Sequence, residues 1–200
     1  RDLNDPFPQA SLVNFFYGAT IILILIAPVL TMRLMAEEQK LGTIELLLTS
    51  PVRDWEVIIG KYVASFVFLV ATVALTLYYT IILYVFGSPD AGPIYAGYLG
   101  LLLYGGAALA IGLLCSTLTS NQIVAAVLAM GILLLLFFAN LASDNIGGGI
   151  STIIGELSIR SHFDDFSRGV IDTKHIVYYL SVTTFFLFMT IRALESRRWR

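Results

Sequence analysis

The sequence predicts an all-α, polytopic membrane protein with five transmembrane helices. Three observations indicate this fold class: the composition, five long apolar stretches and an uneven distribution of basic residues. Of the 200 residues, 58% are hydrophobic and only 13% are charged, and the mean hydropathy is +0.84. A soluble domain carries about 25% charged residues, so the composition excludes a water-soluble enzyme. Twelve Lys and Arg against fourteen Asp and Glu give a net charge of −2, which excludes a nucleic-acid-binding protein.

Each apolar stretch is long enough to cross a bilayer, which takes about 20 residues in a helix. Backbone polar groups in lipid must be paired within their own segment, so these stretches are predicted to be helices. They contain almost no ionisable residue. The predicted spans cover residues 12–32, 62–86, 94–118, 122–141 and 176–191.

Basic residues are concentrated in the connection 33–61 and after the last span. These two segments hold eight: Arg33, Lys40, Arg53, Lys61, Arg192, Arg197, Arg198 and Arg200. The remaining four are Arg1, Arg160, Arg168 and Lys174. Because cytoplasmic connections carry the excess of Lys and Arg, segment 33–61 and the C-terminus are predicted to be cytoplasmic and segment 142–175 external. Five spans would leave the residues before the first span outside, so we expect a sixth, N-terminal helix in the whole protein.

The connection 33–61 is predicted to be two amphipathic elements. Leu34, Leu41, Ile44 and Leu48 share one face at helical spacing, which predicts that the first span continues as a helix. Ser50-Pro51 then ends this helix and begins another, in which Val52, Trp55 and Ile59 share a face. The second element is either an interfacial anchor with Trp55 at the headgroups or a docking surface for a partner protein.

The external connection 142–175 is predicted to carry a short interfacial helix. Its apolar residues at helical spacing are Ile150, Ile153, Ile154 and Leu157. His162 with Asp164 and Asp165 suggests a metal, but a zinc or calcium site needs three or more converging ligands. We therefore expect no metal site here, and instead ion pairs of Asp164 and Asp165 with Arg168 at helical spacing.

Within the spans the sequence indicates packing and anchoring rather than chemistry. The third and fourth spans are rich in Gly and Ala, which let membrane helices approach closely. Tyr78, Tyr79, Tyr84, Tyr95 and Tyr98 are predicted to form an aromatic belt. Gly60-Lys61 does not fit a phosphate-binding loop, because Trp55 and Tyr62 stand where Gly and Ser or Thr are required. No catalytic residue is predicted, so the chain is not expected to be an enzyme.

A specific pattern lies between residues 33 and 62. The run RLMAEEQKLGTIELLLTSP from Arg33 to Pro51, followed by Gly60-Lys61-Tyr62, resembles the signature of ABC type-2 transporter permeases. The subgroup it is most similar to is the gliding-motility and copper-processing type, which includes permeases of nitrous-oxide-reductase maturation. The C-terminal part resembles the same subgroup at His162-Phe163, at FSRGVID from Phe166, at Tyr178-Tyr179-Leu180 and at LESRRW from Leu194.

The resemblance implies a six-helix permease subunit in a bacterial-type inner membrane, expected to be an exporter, whose first helix is not present in this sequence. It would dimerise with a second copy or a homologous permease. ATP would be bound and hydrolysed by a separate cytoplasmic ABC ATPase, so no cofactor is expected in this chain. Segment 33–61 would hold the coupling helix. The implied coupling residues are Glu38, Gly42, Thr43 and Glu45 in an elbow, then Ser50, Pro51, Arg53, Asp54, Trp55 and Glu56 in a docking region. The alternative is a non-transporting membrane scaffold or accessory subunit that retains the permease fold.

Overall fold

The computed structural model describes residues 12–44, 52–87, 89–145 and 155–198. The helices in these residues are α1 (Val13–Thr31), α2 (Ala36–Leu41), α3 (Asp54–Phe86), α4 (Ala91–Leu118), α5 (Gln122–Asn145), α6 (Ser161–Ser167) and α7 (Thr173–Arg198). Five stretches, those of α1, α3, α4, α5 and α7, are long and apolar enough to cross a membrane. The predicted all-α fold with five spans is therefore confirmed.

Helix α4 is the centre of the bundle. In its apolar stretch 78% of the residues are buried, against 11–39% in the other four candidate spans. It packs on α1, α3, α5 and α7 and on the short helix α6. A Cβ added at Gly97 would meet the ring of Phe16, and one added at Gly105 would lie 2.5 Å from Leu69 Cδ2. The predicted role of the small residues in close helix packing is confirmed.

Helix α3 is longer than its predicted span. The expectation of a separate amphipathic element before a span at residue 62 is wrong, because one helix runs from Asp54 to Phe86. Its start is stabilised by the Glu56 carboxylate, which accepts the backbone N–H of Arg53 at 3.1 Å. Asp54 and Glu56 lie in the first turn, where negative charge is favoured by the helix dipole. Gly60 is tolerated inside the helix. The two turns before the span are thus rigidly joined to it.

The predicted continuation of the first span is also wrong. Helix α1 ends at Thr31, a turn occupies residues 32–35, and α2 ends at Gly42, whose φ of +72° is left-handed. The break changes which side chains face the bundle: Met35 and Ala36 are buried, while Leu41, expected on the apolar stripe, is 67% exposed. The last member of that stripe, Leu48, lies outside the described residues.

The aromatic belt stays a prediction, but four of its five tyrosines have the exposure that it requires. The rings of Tyr78, Tyr79, Tyr84 and Tyr95 are exposed at the end of the bundle where α3 ends and α4 begins. Tyr98 instead packs edge-on against Phe16, with ring centroids 5.2 Å apart. Its hydroxyl donates to the carbonyl oxygen of Thr76 at 3.0 Å. Tyr98 therefore joins α4 to α3 rather than anchoring the protein at the interface.

The external segment, named for its predicted side and described from residue 155, folds onto the same end of the bundle. Most of the predicted interfacial helix, residues 150–154, lies outside the described residues, and Leu157 is exposed. In α6, Phe163 and Phe166 are buried in the main core. The expected ion pairs with Arg168 are wrong: Asp164 accepts from the Tyr17 hydroxyl at 2.9 Å, and Asp165 pairs with His175 at 2.7 Å. Partners on other helices thus replace the local one.

Candidate functional site

The elbow, residues 32–44, lies at the opposite end of the bundle from α6 and contacts the ends of three membrane helices. An apolar cluster joins them, and its buried members are Met35 of the elbow, Ile58 of α3, Ala110 and Leu113 of α4, and Leu187 and Leu194 of α7. The elbow, the start of α3 and the C-terminal end of α7 therefore share one end of the molecule. This is the arrangement that the distribution of basic residues predicts.

Glu38, one of the predicted elbow residues, is joined to α3. Its Oε1 lies 2.7 Å from Nζ of Lys61, and the same ammonium donates to the carbonyl oxygen of Leu34 at 2.7 Å. Leu34 stands in the turn between α1 and α2, where the carbonyl has lost its helical partner. Lys61 thus binds both a charged side chain and a backbone group of the elbow, and it ties the elbow to the start of α3.

A second attachment, which the sequence analysis missed, is made by Ser116 near the end of α4. Its hydroxyl accepts the backbone N–H groups of Met35 at 3.1 Å and Ala36 at 3.0 Å. It also lies 3.0 Å from the carbonyl oxygen of Met32, to which it donates. Gln39 adds a further bond, from its side-chain amide to the carbonyl oxygen of Thr117 at 2.8 Å. The elbow is therefore bound to α4 as well as to α3.

The remaining predicted elbow residues mark where the elbow ends. Gly42 terminates α2 in a left-handed conformation that favours glycine. The Thr43 hydroxyl lies 3.3 Å from the carbonyl oxygen of Glu38 and closes this end of the helix. Glu45, Ser50 and Pro51 lie outside the described residues.

The predicted docking residues lie at the start of α3. Arg53 precedes the helix, Asp54 and Glu56 lie in its first turn, and Trp55 between them is 47% exposed. Val52 is exposed too, whereas Ile59, the third member of the predicted apolar face, is half-buried against the cluster of the elbow, so only part of that face is buried within the chain. Ile58 is the buried residue of these turns. The structure therefore leaves Trp55 available at the surface on a helix that Ile58 and Lys61 fix to the elbow.

The histidines form a separate, buried cluster at the α6 end. His162 stacks on Tyr178 with ring centroids 3.7 Å apart, and its Nδ1 lies 3.0 Å from the carbonyl oxygen of Ser158. Burial lowers the pKa of His162. His175, which the sequence analysis did not single out, meets His162 edge-on at 5.0 Å. Across residues 12–44, 52–87, 89–145 and 155–198, no group of three or more His, Cys, Asp or Glu side chains is arranged to hold a metal.

An apolar cleft of about 620 Å³ opens between α1 and α3 within the membrane-spanning region. Asn14, Thr72 and Thr76 are the polar residues of its otherwise apolar lining. The hydroxyls of Thr72 and Thr76 donate to carbonyl oxygens of their own helix, at Phe68 and Val73. The lining carries no charge, so it suits apolar chains rather than ions.

Comparison with known proteins gives one family. Residues 3–156 match the family model described as ABC-2 family transporter protein. The chain is 33% identical over 116 residues to a probable multidrug ABC transporter permease, YbhR, of Escherichia coli K12, and equally to that of Escherichia coli O157:H7. The aligned part is 54% of this chain and 31% of each relative. The chain thus spans about a third of the length of the curated relatives it matches.

Proposed function

The chain belongs to the ABC-2 family of transporter proteins, and from that premise we propose that it acts as the permease subunit of an ABC transporter whose separate cytoplasmic ATPase binds and hydrolyses ATP. We propose further that it works as a dimer with a second permease in a bacterial inner membrane, with a cytoplasmic C-terminus and with export as its direction. The motifs quoted from both halves of the sequence support the gliding-motility and copper-processing subgroup.

The observation that carries this proposal is the pairing of a clamped elbow with an exposed aromatic residue. A permease without its own ATP chemistry needs a rigid surface through which a partner moves the membrane helices. The elbow is rigid because α3, α4 and α7 all hold it. Trp55 projects from the helix that Lys61 joins to the elbow, and it is the largest exposed side chain of the docking segment. Force applied at Trp55 would therefore reach three membrane helices.

The first prediction is that Trp55→Ala releases the ATPase while the protein stays inserted in the membrane. Loss of an aromatic anchor from a protein interface costs at least about 2 kcal/mol, roughly thirtyfold in affinity. The measurement is the amount of ATPase that co-purifies with the permease in detergent, together with the rate of ATP hydrolysis by the purified complex.

Tyr84→Ala is the matched control, because Tyr84 is 46% exposed, almost the same as Trp55, but lies at the other end of α3. The control should retain the ATPase in full. If Trp55 serves only as an interfacial anchor, Trp55→Ala keeps the ATPase and Phe or Leu replaces Trp without loss. If the unaltered protein itself retains no ATPase, that result contradicts the proposed function and favours the scaffold alternative.

A further inference from the structure

We propose that Ser116 is the positioning residue that couples the elbow to α4, so that a displacement of the elbow is passed to the central helix. This inference rests on the proposed function, in which an ATPase displaces the elbow. It assigns to α4 a role that neither the family signature nor the exposed docking residues supply. Three structural observations lead to it.

The first observation is that the elbow uses the whole hydrogen-bonding capacity of one hydroxyl. A serine hydroxyl offers one donor and two acceptor positions. At Ser116 both acceptor positions take backbone N–H groups of residues 35 and 36, and the donor bonds the carbonyl oxygen of residue 32. Hydroxyls in apolar helices commonly bond a carbonyl of their own helix instead. Thr117 does so, donating to Leu113 at 2.9 Å. Ser116 is therefore committed to the elbow rather than to α4.

The second observation is that the elbow and α4 are closely packed around Ser116. Ser116 is fully buried, so water cannot replace the hydroxyl when it is lost. One turn earlier in α4, a Cβ added at Gly112 would collide with the side chain of Thr31, the last residue of α1. One turn into α2, Gln39 bonds the carbonyl oxygen of Thr117. The end of α1, the turn and α2 are thus all held against the same stretch of α4.

The third observation is that α4 reaches the other end of the molecule as one helix. It runs from Ala91 to Leu118, which is about 42 Å at 1.5 Å per residue. At its far end a Cβ on Gly100 would lie 2.8 Å from Phe166 of α6. Gly169, just after α6, has a φ of +88° and is packed on Pro93. A movement of α4 at Ser116 would therefore reach the external segment directly.

The test uses the full-length permease in nanodiscs with its co-purified ATPase, and compares Ser116→Ala with Thr117→Val. The control removes a hydroxyl that is equally buried and one residue away, but that bonds only its own helix. Hydrogen exchange of the peptide covering residues 33–41 measures how firmly Ser116 holds the elbow on α4. The rate at which a cysteine at Tyr95, on the exposed far end of α4, reacts with a maleimide with and without ATP measures transmission.

In Ser116→Ala we expect the amides of residues 35 and 36 to exchange about fivefold faster or more, because each loses its partner. We expect the ATP-dependent change in labelling at position 95 to fall at least about fivefold, the lower end of coupling between two sites. Co-purification of the ATPase should be unchanged, since Trp55 is untouched. Thr117→Val should match the unaltered protein in all three measurements.

If the amides of residues 35 and 36 exchange no faster in Ser116→Ala, Ser116 does not hold the elbow on α4. If they exchange faster but the ATP-dependent change in labelling at position 95 is undiminished, Ser116 does not pass the displacement of the elbow to α4. If the unaltered protein binds no ATPase, the proposed function fails, and with it the claim that α4 receives a displacement of the elbow. The exchange of residues 35 and 36 still tests whether Ser116 holds the elbow on α4. If Ser116→Ala does not insert, Gln39→Met removes the neighbouring bond between the elbow and the carbonyl oxygen of Thr117 in α4, and a normal ATP response in that variant counts against the inference.

Discussion

His162 is only 3% exposed; its ring stacks on Tyr178 of α7, and its Nδ1 lies 3.0 Å from the carbonyl oxygen of Ser158, before α6. Its pKa is lowered chiefly because burial disfavours the charged form, and His175 nearby acts in the same direction. Glu156, whose Oε2 lies 3.8 Å from Nε2, and Lys174 are the charged groups beside it. Folding therefore favours the neutral form of the ring.

We expect the external segment to lose stability as the pH falls below about 6.5, the ordinary pKa of an unfolded histidine. Between the lowered folded pKa and that value, the unfolded chain binds more protons than the folded one, so acid favours unfolding. One such proton changes the stability by up to about 1.4 kcal/mol per pH unit. Hydrogen exchange of residues 158–167 at pH 7.5 and pH 5 measures this loss of stability.

His162→Phe is the variant to compare, because it keeps a flat ring against Tyr178 but cannot be protonated. The pH dependence of exchange should be smaller in this variant than in the unaltered protein. An identical pH dependence in both would place its origin in groups other than His162.

At the scale of the helices, the fit of α1 against α4 is the tightest approach that can be tested with a single methyl group. Gly112→Ala would drive a Cβ into the side chain of Thr31. Overpacking of this kind costs about 1–3 kcal/mol. Gly131→Ala on α5 is the control, since no heavy atom lies within 4 Å of the added Cβ. We expect a lower melting temperature in detergent for Gly112→Ala and an unchanged or slightly higher one for Gly131→Ala. Equal melting temperatures would contradict the packing described for α4.

The helices could be predicted from the sequence because length and hydropathy act locally. Each span is a run of about 20 apolar residues, and the surrounding lipid leaves the backbone no alternative to a helix. The same local rules failed in the elbow. The periodicity from Leu34 to Leu48 is compatible with a continuous helix, but the break at residues 32–35 is stabilised by Lys61 and Ser116. Lys61 and Ser116 lie outside the run from Leu34 to Leu48, so the apolar periodicity of that run cannot predict the break.

The candidate site was predictable only in part, for the same reason. Glu38 and Trp55 stand out as charged and aromatic residues in a segment predicted to be cytoplasmic, and the structure places Glu38 against Lys61 and Trp55 at the surface. Ser116 carries no such signal, because a serine near the end of an apolar helix ordinarily bonds its own backbone. Its role depends on which residues the fold brings within 3 Å of it. The pairing of Asp165 with His175 was missed likewise, since Arg168 was the only partner visible at helical spacing.

At the scale of the whole molecule, the elbow and the external segment lie at opposite ends of the bundle, and the excess of basic residues predicts which end is cytoplasmic. A cysteine at Lys40 should react with a membrane-impermeant maleimide only after the cells are opened, and one at Val170 should react in intact cells. Both positions are exposed. The native Cys115 is buried and should give little background. Labelling of Lys40→Cys in intact cells would reverse the orientation and remove the basis for the ATPase contact.

Because α4 is buried by helices that are synthesised after it, its packing can be completed only late in synthesis. Helix α4 leaves the ribosome before α5 and α7, yet it packs more extensively on α7 than on any other helix. Until α7 is made, the face of α4 that α7 will cover is in contact with lipid. The small apolar residues of α4 are compatible with lipid contact. The elbow is made earlier still, but its apolar cluster needs Leu187 and Leu194 of the last helix. The elbow that we propose passes on the action of the ATPase is therefore complete only after α7 has been made, so that a chain that stops before α7 presents no assembled elbow to a partner.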